Sequence, residues 1–317
     1  MSATLAYHAA RARALSRELD ADPSIFLIGG SVALPFNADD GLLERYADRV
    51  LWPPISEFAV SGLGIGAAMA GLRPFVPLST ASFMFYCWAP IVNEAPNIRY
   101  LSGGQTAAPV VFHVMGGSRR GGGPQHEHTP QAMLQNVPGL RVYAPGTPAG
   151  LDAALHEALT GGDPAVIVDH VLLAGHEGEV PDKPPPRVQP QLVRSGRDAL
   201  IVGHSIMVQR ALNAAAELVA SGIEVSVLEV PLLSPLPEED ILAAVAGHRH
   251  VLLVDESRLP GSPATHLLAA IARVDPGVSA RLVCSLDAPA PFATHLLDEI
   301  VPTAARIAEA VRELVSR

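Results

Sequence analysis

The chain has 317 residues, 49% of them apolar and 17% charged, with a formal net charge of -10. That length supports one large or two ordinary domains with a substantial core. The charge excludes the basic excess of a general nucleic-acid binder, and the apolar content excludes a disordered chain. The two cysteines, Cys87 and Cys284, lack paired metal or redox spacing, so no disulfide framework is expected and the expected compartment is reducing. Met1 to Asp22 mixes charged and apolar residues, which suits a soluble helix and not a signal peptide. The richest apolar run is broken by glycines and closed by Arg73-Pro74, so no membrane span is expected. These features together predict a soluble, cytoplasmic protein.

Helical and strand patterns alternate along the first half. A helix is predicted around residues 3 to 20, a strand at Ile25 to Ile28, a helix from about Val60 to Gly71 and a strand at Phe75 to Leu78. A helix around Pro90 to Tyr100 follows, then strands at Val110 to Val114 and Arg141 to Tyr143, a helix from Pro148 to Leu159 and a strand at Ala165 to Val168. Short β-rich runs separated by helices indicate parallel α/β layers. The proline cluster Pro181-Asp182-Lys183-Pro184-Pro185-Pro186, with Pro190 after it, reads as an extended connector. Beyond it, strands are predicted at Ala199 to Val202, Glu224 to Leu228, His250 to Val254 and Arg281 to Val283. Helices are predicted near 206 to 220, 237 to 246, 262 to 274 and 303 to 315.

Several motifs invite chemistry, and each has a plainer reading. Gly116 to Gly123 lacks the Gly-Lys-Ser/Thr ending of a P-loop, and on local sequence alone a surface loop with two solvated arginines is the simpler account. Gly62, Gly64 and Gly66 lie inside a predicted helix and read as small residues that let it approach another backbone. Gln125-His126-Glu127-His128 offers two imidazoles and a carboxylate, but no third metal ligand at a recognisable spacing accompanies them. Ordinary loop histidines and active-site proton carriers fit these two equally well. Glu57, at the mouth of a helix of small and apolar residues, must be neutralised, hydrogen-bonded or used. Taken locally, an acidic residue complementing the helix dipole is the better reading of it. No Ser-His-Asp ordering, nucleophile elbow or paired-carboxylate motif points to hydrolysis.

Read together, the segments resemble the beta subunit of the thiamine-diphosphate-dependent first component of 2-oxo acid dehydrogenases, a relative of the transketolase pyrimidine-binding and carboxy-terminal domains. The resemblance runs through Phe26-Leu27-Ile28-Gly29, Pro54-Ile55-Ser56-Glu57, Gly64 to Pro74 and Tyr100-Leu101-Ser102-Gly103-Gly104. It continues in Pro109 to Phe112, Gln125-His126, Pro138-Gly139-Leu140 and Pro235-Leu236. It implies a thiamine-diphosphate-binding-type doubly wound α/β sheet over residues 1–180, a proline-rich linker over 181–191 and a smaller transketolase carboxy-terminal-like α/β domain over 192–317.

The same resemblance implies the site. Glu57 would hydrogen-bond the aminopyrimidine ring of the cofactor and relay the proton that activates it. Phe83, with Phe85 as the alternative register, would pack on that ring beside Ile55. His126, with His128 next, would stabilise anionic intermediates or move protons. The family holds diphosphate and Mg2+ through a Gly-Asp-Gly motif that this chain lacks, which implies an alpha subunit carrying that half of the site, in an alpha2beta2 assembly. The implied reaction is decarboxylation of a 2-oxo acid and transfer of the acyl group to a lipoyl domain or other carrier. Gly30-Ser31, where the family commonly has acidic residues, and Ala89-Pro90, where it commonly has an aspartate, depart from the pattern and leave substrate and acceptor open. Two alternatives are the carboxy-terminal half of a split transketolase-like ketol or acyl transferase and a noncatalytic scaffold subunit.

Overall fold

The fold is given by a computed structural model that describes residues 2–29, 41–118 and 121–316. Gly30-Ser31 lies outside the described residues, as do Arg119 and Arg120 of the Gly-rich segment. The chain forms two compact units. One comprises Met1–Gly116, Leu134–Tyr143 and Thr147–Val188, and the other Gly117–Met133, Ala144–Gly146 and Gln189–Arg317. The units are therefore not contiguous in sequence, and the segment carrying His126 and His128 packs with the carboxy-terminal residues.

In chain order the first half forms β1 (Ala3–Ala6), α1 (Tyr7–Ala21), β2 (Ile25–Ile28), α2 (Leu42–Arg45), β3 (Val50–Leu51), α3 (Glu57–Met69), β4 (Arg73–Thr80), α4 (Ile98–Leu101) and β5 (Val111–Gly116). After α5 (Gln131–Gln135) come β6 (Arg141–Tyr143), α6 (Pro148–Thr160), β7 (Ala165–His170) and β8 (Glu177–Val180). Six of these strands run parallel in the spatial order β6-β7-β5-β4-β2-β3. Their continuous apolar runs are buried throughout, with Leu27, Phe75, Val76, Phe112, Val166 and Val168 fully or almost fully enclosed, as expected of parallel strands covered on both faces.

Two expected helices differ from the reading of the sequence. Ala3–Ala6 is a strand because β8 captures it, with Ala3 opposite Val180 in an antiparallel pair. Local periodicity carries no sign of a partner so distant in sequence. The segment Pro90 to Tyr100 is a short wide turn over Pro90–Glu94 followed by α4. Pro96 interrupts it, having no N–H to continue the helical ladder.

In the second unit, β9 (Gln191–Arg194), β10 (Ala199–Gly203), α7 (Ile206–Val219), β11 (Val225–Glu229), β12 (Leu232–Ser234), α8 (Glu238–Val245), β13 (His250–Arg258), α9 (Pro263–Val274), β14 (Ser279–Ser285), α10 (Thr294–Ile300) and α11 (Ala304–Val315) follow in order. Strands β14, β13, β10 and β11 are parallel neighbours, with β9 antiparallel on the far edge of β11. No helix among the described residues is long and apolar enough to cross a membrane.

Helix α3 lies close against β4 because Gly64 has no side chain. A Cβ at Gly64 would lie 2.8 Å from Val76 Cγ2, whereas at Gly62 and Gly66 it would meet open space. Gly64→Ala is expected to destabilise the isolated chain by ~1–3 kcal/mol through overpacking. Gly66→Ala should instead gain up to about 1 kcal/mol of helix propensity. Urea unfolding of the two variants checks the contrast, and equal effects would refute the packing account.

A buried charge network ties the sheet to α1. Arg11 pairs with the Asp169 carboxylate, and His113 Nε2 lies 3.2 Å from Asp169 Oδ2. Burial acts to raise the Asp169 carboxyl, but Arg11 and His113 outweigh it and hold the group well below the usual carboxylate range. Burial is also the main reason that His113 sits below the ordinary imidazole value. Both folded-state values are depressed, so both contributions to stability are present at neutral pH and lost on acidification. The unfolded chain takes up a proton at His113 below about pH 6.5 that the native chain refuses. Urea midpoints are therefore expected to fall between pH 7.5 and pH 5.5, with His113→Gln showing a shallower fall. An unchanged slope in the variant would contradict the assignment.

Candidate active site

The two strands that bracket Glu57 explain why a cleft forms there. From β2 the chain leads outward to β3, and from β4 it leads the opposite way to β5, while β2 and β4 are parallel neighbours. Connections that diverge from adjacent parallel strands open a crevice at their carboxyl ends, the usual ligand position in open α/β sheets. Gly29, just past β2, and Pro77 and Leu78 of β4 line a small cavity there together with Ile55, Ser56, Glu57 and Val60. A Cβ at Gly29 would lie 2.9 Å from the Pro77 carbonyl oxygen, so only glycine leaves this approach unobstructed.

Glu57 is the first residue of α3, three residues earlier than the predicted start of that helix. Ser56 precedes it with extended backbone (φ -163°) and no side-chain cap. The first turn is held by the Val60 N–H donating to the Ser56 carbonyl at 2.9 Å. The Glu57 side chain is half-buried, not enclosed. Its neighbours Ile55 and Phe58 are 80% and 60% exposed, so the apolar setting inferred from sequence is in this chain largely an open apolar surface.

Phe83 and Phe85 lie on a 3-10 segment, Ala81–Cys87, that follows β4 and packs against α3. Phe83 is half-buried, and Phe85 is exposed with its ring centroid 6.0 Å from that of Trp88. Cys87 closes the segment in the core. Burial pushes its thiol up to about 11, the Ser61 hydroxyl pulls it down, and the negative charge of Glu57 raises it further. Glu57, Ile55, Phe83 and Phe85 thus share the first unit and its carboxyl-end face.

His126 and His128 belong to the second unit, both half-buried on the segment before α5. The His126 N–H donates to the Gly123 carbonyl at 3.2 Å, and the Gly117 N–H donates to the His128 carbonyl at 2.7 Å. His128 is held below the ordinary imidazole value by burial and by the positive charges of Arg258 and His126. It is therefore neutral at pH 7 and can accept a proton. Between the two histidines, Glu127 is buried and takes the Gly122 N–H at 2.7 Å. The sequence offered Glu127 only as a carboxylate between the two histidines, and it did not single out Glu256 or Arg258. The only available signal was a charged run, Asp255 to Arg258, closing an otherwise apolar strand. Among the described residues no group of three or more His, Cys, Asp or Glu side chains is placed to hold a metal ion.

The comparisons with known proteins match this architecture. Residues 3–174 match the transketolase pyrimidine-binding domain, and residues 189–307 match the transketolase carboxy-terminal domain. The acetoin:2,6-dichlorophenolindophenol oxidoreductase subunit beta of Cupriavidus necator is 34% identical over 95% of this chain and 94% of its own. The pyruvate dehydrogenase E1 component subunit beta of Rhizobium meliloti is 30% identical over 98% of this chain and 70% of its own. That of Rickettsia felis is 30% identical over 95% of both. Among solved structures, a split-gene transketolase described as an inactive beta4 tetramer superposes with a TM-score of 0.78, covering 98% of both chains at 22% identity. With both transketolase domains matched in order, and relatives of this kind aligned along nearly its whole length, the chain belongs to the transketolase-like family that includes the pyruvate dehydrogenase E1 beta subunits.

Proposed function

We propose that this chain is the beta subunit of a thiamine-diphosphate-dependent enzyme that, with a separate alpha subunit, decarboxylates a 2-oxo acid and passes the acyl group to a lipoyl domain or another acceptor. The observation that carries the reading is Glu57, a half-buried carboxylate at the first turn of α3 beside the crevice between β2 and β4, in a chain of this family. The residues present fit the pyrimidine half of the cofactor. They offer one carboxylate, an approach kept clear by Gly29, and aromatic side chains on the neighbouring 3-10 segment.

Thiamine diphosphate, when bound, supplies a nucleophilic carbon and an electron sink for loss of carbon dioxide. In this proposal Glu57 holds a proton at a ring nitrogen of the pyrimidine. Phe83, or Phe85 in the alternative register, stacks on the ring, and Ile55 covers its edge. His126 and His128 move protons at the substrate oxygen, a task suited to the neutral His128 imidazole. Diphosphate and Mg2+ fall to the alpha subunit, because this sequence has no Gly-Asp-Gly. The exposed Trp52, Ile55, Phe58 and Leu63 support burial against partner chains, and alpha2beta2 is the assembly proposed. The functional division is proposed as 1–180 for the pyrimidine side and 192–317 for the carboxy-terminal side, in a cytoplasmic enzyme. A ketol transferase half and a noncatalytic scaffold have less support, since the relatives aligned at 30% identity or more are named as oxidoreductase or dehydrogenase beta subunits.

Reconstitution with the alpha subunit tests the reading. Glu57→Ala is expected to lower decarboxylation by ~100 to 10,000-fold, the usual weight of general acid/base help, while leaving the melting temperature within a few degrees. Intact turnover would show that this subunit is not catalytic in the way proposed. Product analysis with pyruvate, branched 2-oxo acids and acetoin identifies the substrate.

A further inference from the structure

On either side of Arg119 and Arg120, the described residues of the Gly-rich segment before the two histidines are held by a specific set of bonds. Gly117, Gly121 and Gly123 all have positive φ, at 81°, 103° and 65°, a conformation that other residues adopt only with strain. Such a chain has many alternative conformations to lose on ordering. Its ends are joined by the Gly117 N–H bond to the His128 carbonyl. Two buried carboxylates take further N–H groups: Glu256 Oε1 accepts from Ser118 at 3.1 Å, and Glu127 Oε1 accepts from Gly122 at 2.7 Å. Glu256 and Glu127 are 3% and 5% exposed, and with Ser118, Thr129 and Arg258 they line one cavity of about 20 Å³.

The far side is fixed as well. The ring of Phe292 covers Gly123 so closely that a Cβ there would lie 2.3 Å from Phe292 Cε1. Glu256 is itself held by the Ser285 hydroxyl, which donates to its carbonyl at 2.6 Å. A buried carboxylate that accepts backbone N–H groups makes charge-assisted bonds that water does not weaken.

We propose that Glu256 is a positioning residue, which together with Glu127 clamps the backbone at Ser118 and Gly122 and thereby fixes His126 and His128 for proton transfer. This inference rests on the proposed function for its consequence, but its geometry stands apart from that reading. Glu256→Ala releases the Ser118 N–H. Glu256→Gln keeps an accepting oxygen in the same place and should largely rescue it.

The test uses the 317-residue chain without cofactor or partner. In Glu256→Ala, the Ser118 and Gly117 amides are expected to exchange hydrogen at least ten times faster, with Glu256→Gln close to the wild type in both. Phe292→Ala, at a largely exposed ring, serves as a second loosening variant should Glu256→Ala fail to fold. In the reconstituted complex, Glu256→Ala should lower kcat by ten-fold or more with cofactor affinity within two-fold of the wild type. Unchanged exchange in the loosened variants would overturn the clamp. Loosening without loss of kcat would overturn its role in positioning. Neither readout on the isolated chain depends on Glu57, so failure of the clamp is distinguishable from failure of the catalytic reading.

Discussion

The close seating of α3 on β4 is the constraint from which the candidate site follows. Gly64 brings the helix within reach of Val76, and that contact sets where the first turn of the helix ends up. The first turn begins at Glu57, so the missing side chain at Gly64 helps to place a carboxylate beside the carboxyl ends of β2 and β4. The same packing buries Ser61 and Cys87 between α3 and the 3-10 segment that carries Phe83 and Phe85. A larger residue at position 64 would disturb the core and the placement of Glu57 together.

The chain uses its carboxylates in three physically different ways. Asp169 is fully enclosed and is engaged by Arg11, His113 and the His170 N–H. It is a structural charge, stable because its partners offset the cost of burial. Glu127 and Glu256 accept the backbone N–H groups of Gly122 and Ser118. Among the described residues Glu57 has neither arrangement. It is half-buried at a helix amino terminus, where the helix dipole favours a negative charge, and it borders a crevice. This pattern sets Glu57 apart from the carboxylates engaged in holding the fold.

Much of the fold was legible in local pattern. Continuous apolar runs such as Val111 to Val114 and Val166 to Val168 announce buried parallel strands, and the amphipathic run Ala304–Val315 announces its helix. What stayed hidden depends on partners far away in sequence. The pairing of β1 with β8 and of β9 with β11 leaves no trace in either segment alone. Gly62, Gly64 and Gly66 look equivalent in sequence, yet one faces a strand and two face open space. Glu57 stood out only through the wording of its whole motif, since locally a helix-dipole residue explained it better. Glu256 carried no motif at all, because its bond to Ser118 spans 138 positions.

In the proposed function Glu57 acts on the cofactor ring. The most direct measurement of this is hydrogen–deuterium exchange at the thiazolium carbon of thiamine diphosphate bound to the reconstituted complex, with no oxo acid present. Exchange in Glu57→Ala is predicted to slow by at least ~100-fold relative to the wild type, the lower end of what a positioned proton carrier contributes. Exchange at the wild-type rate, with the cofactor shown to be bound, would contradict the account.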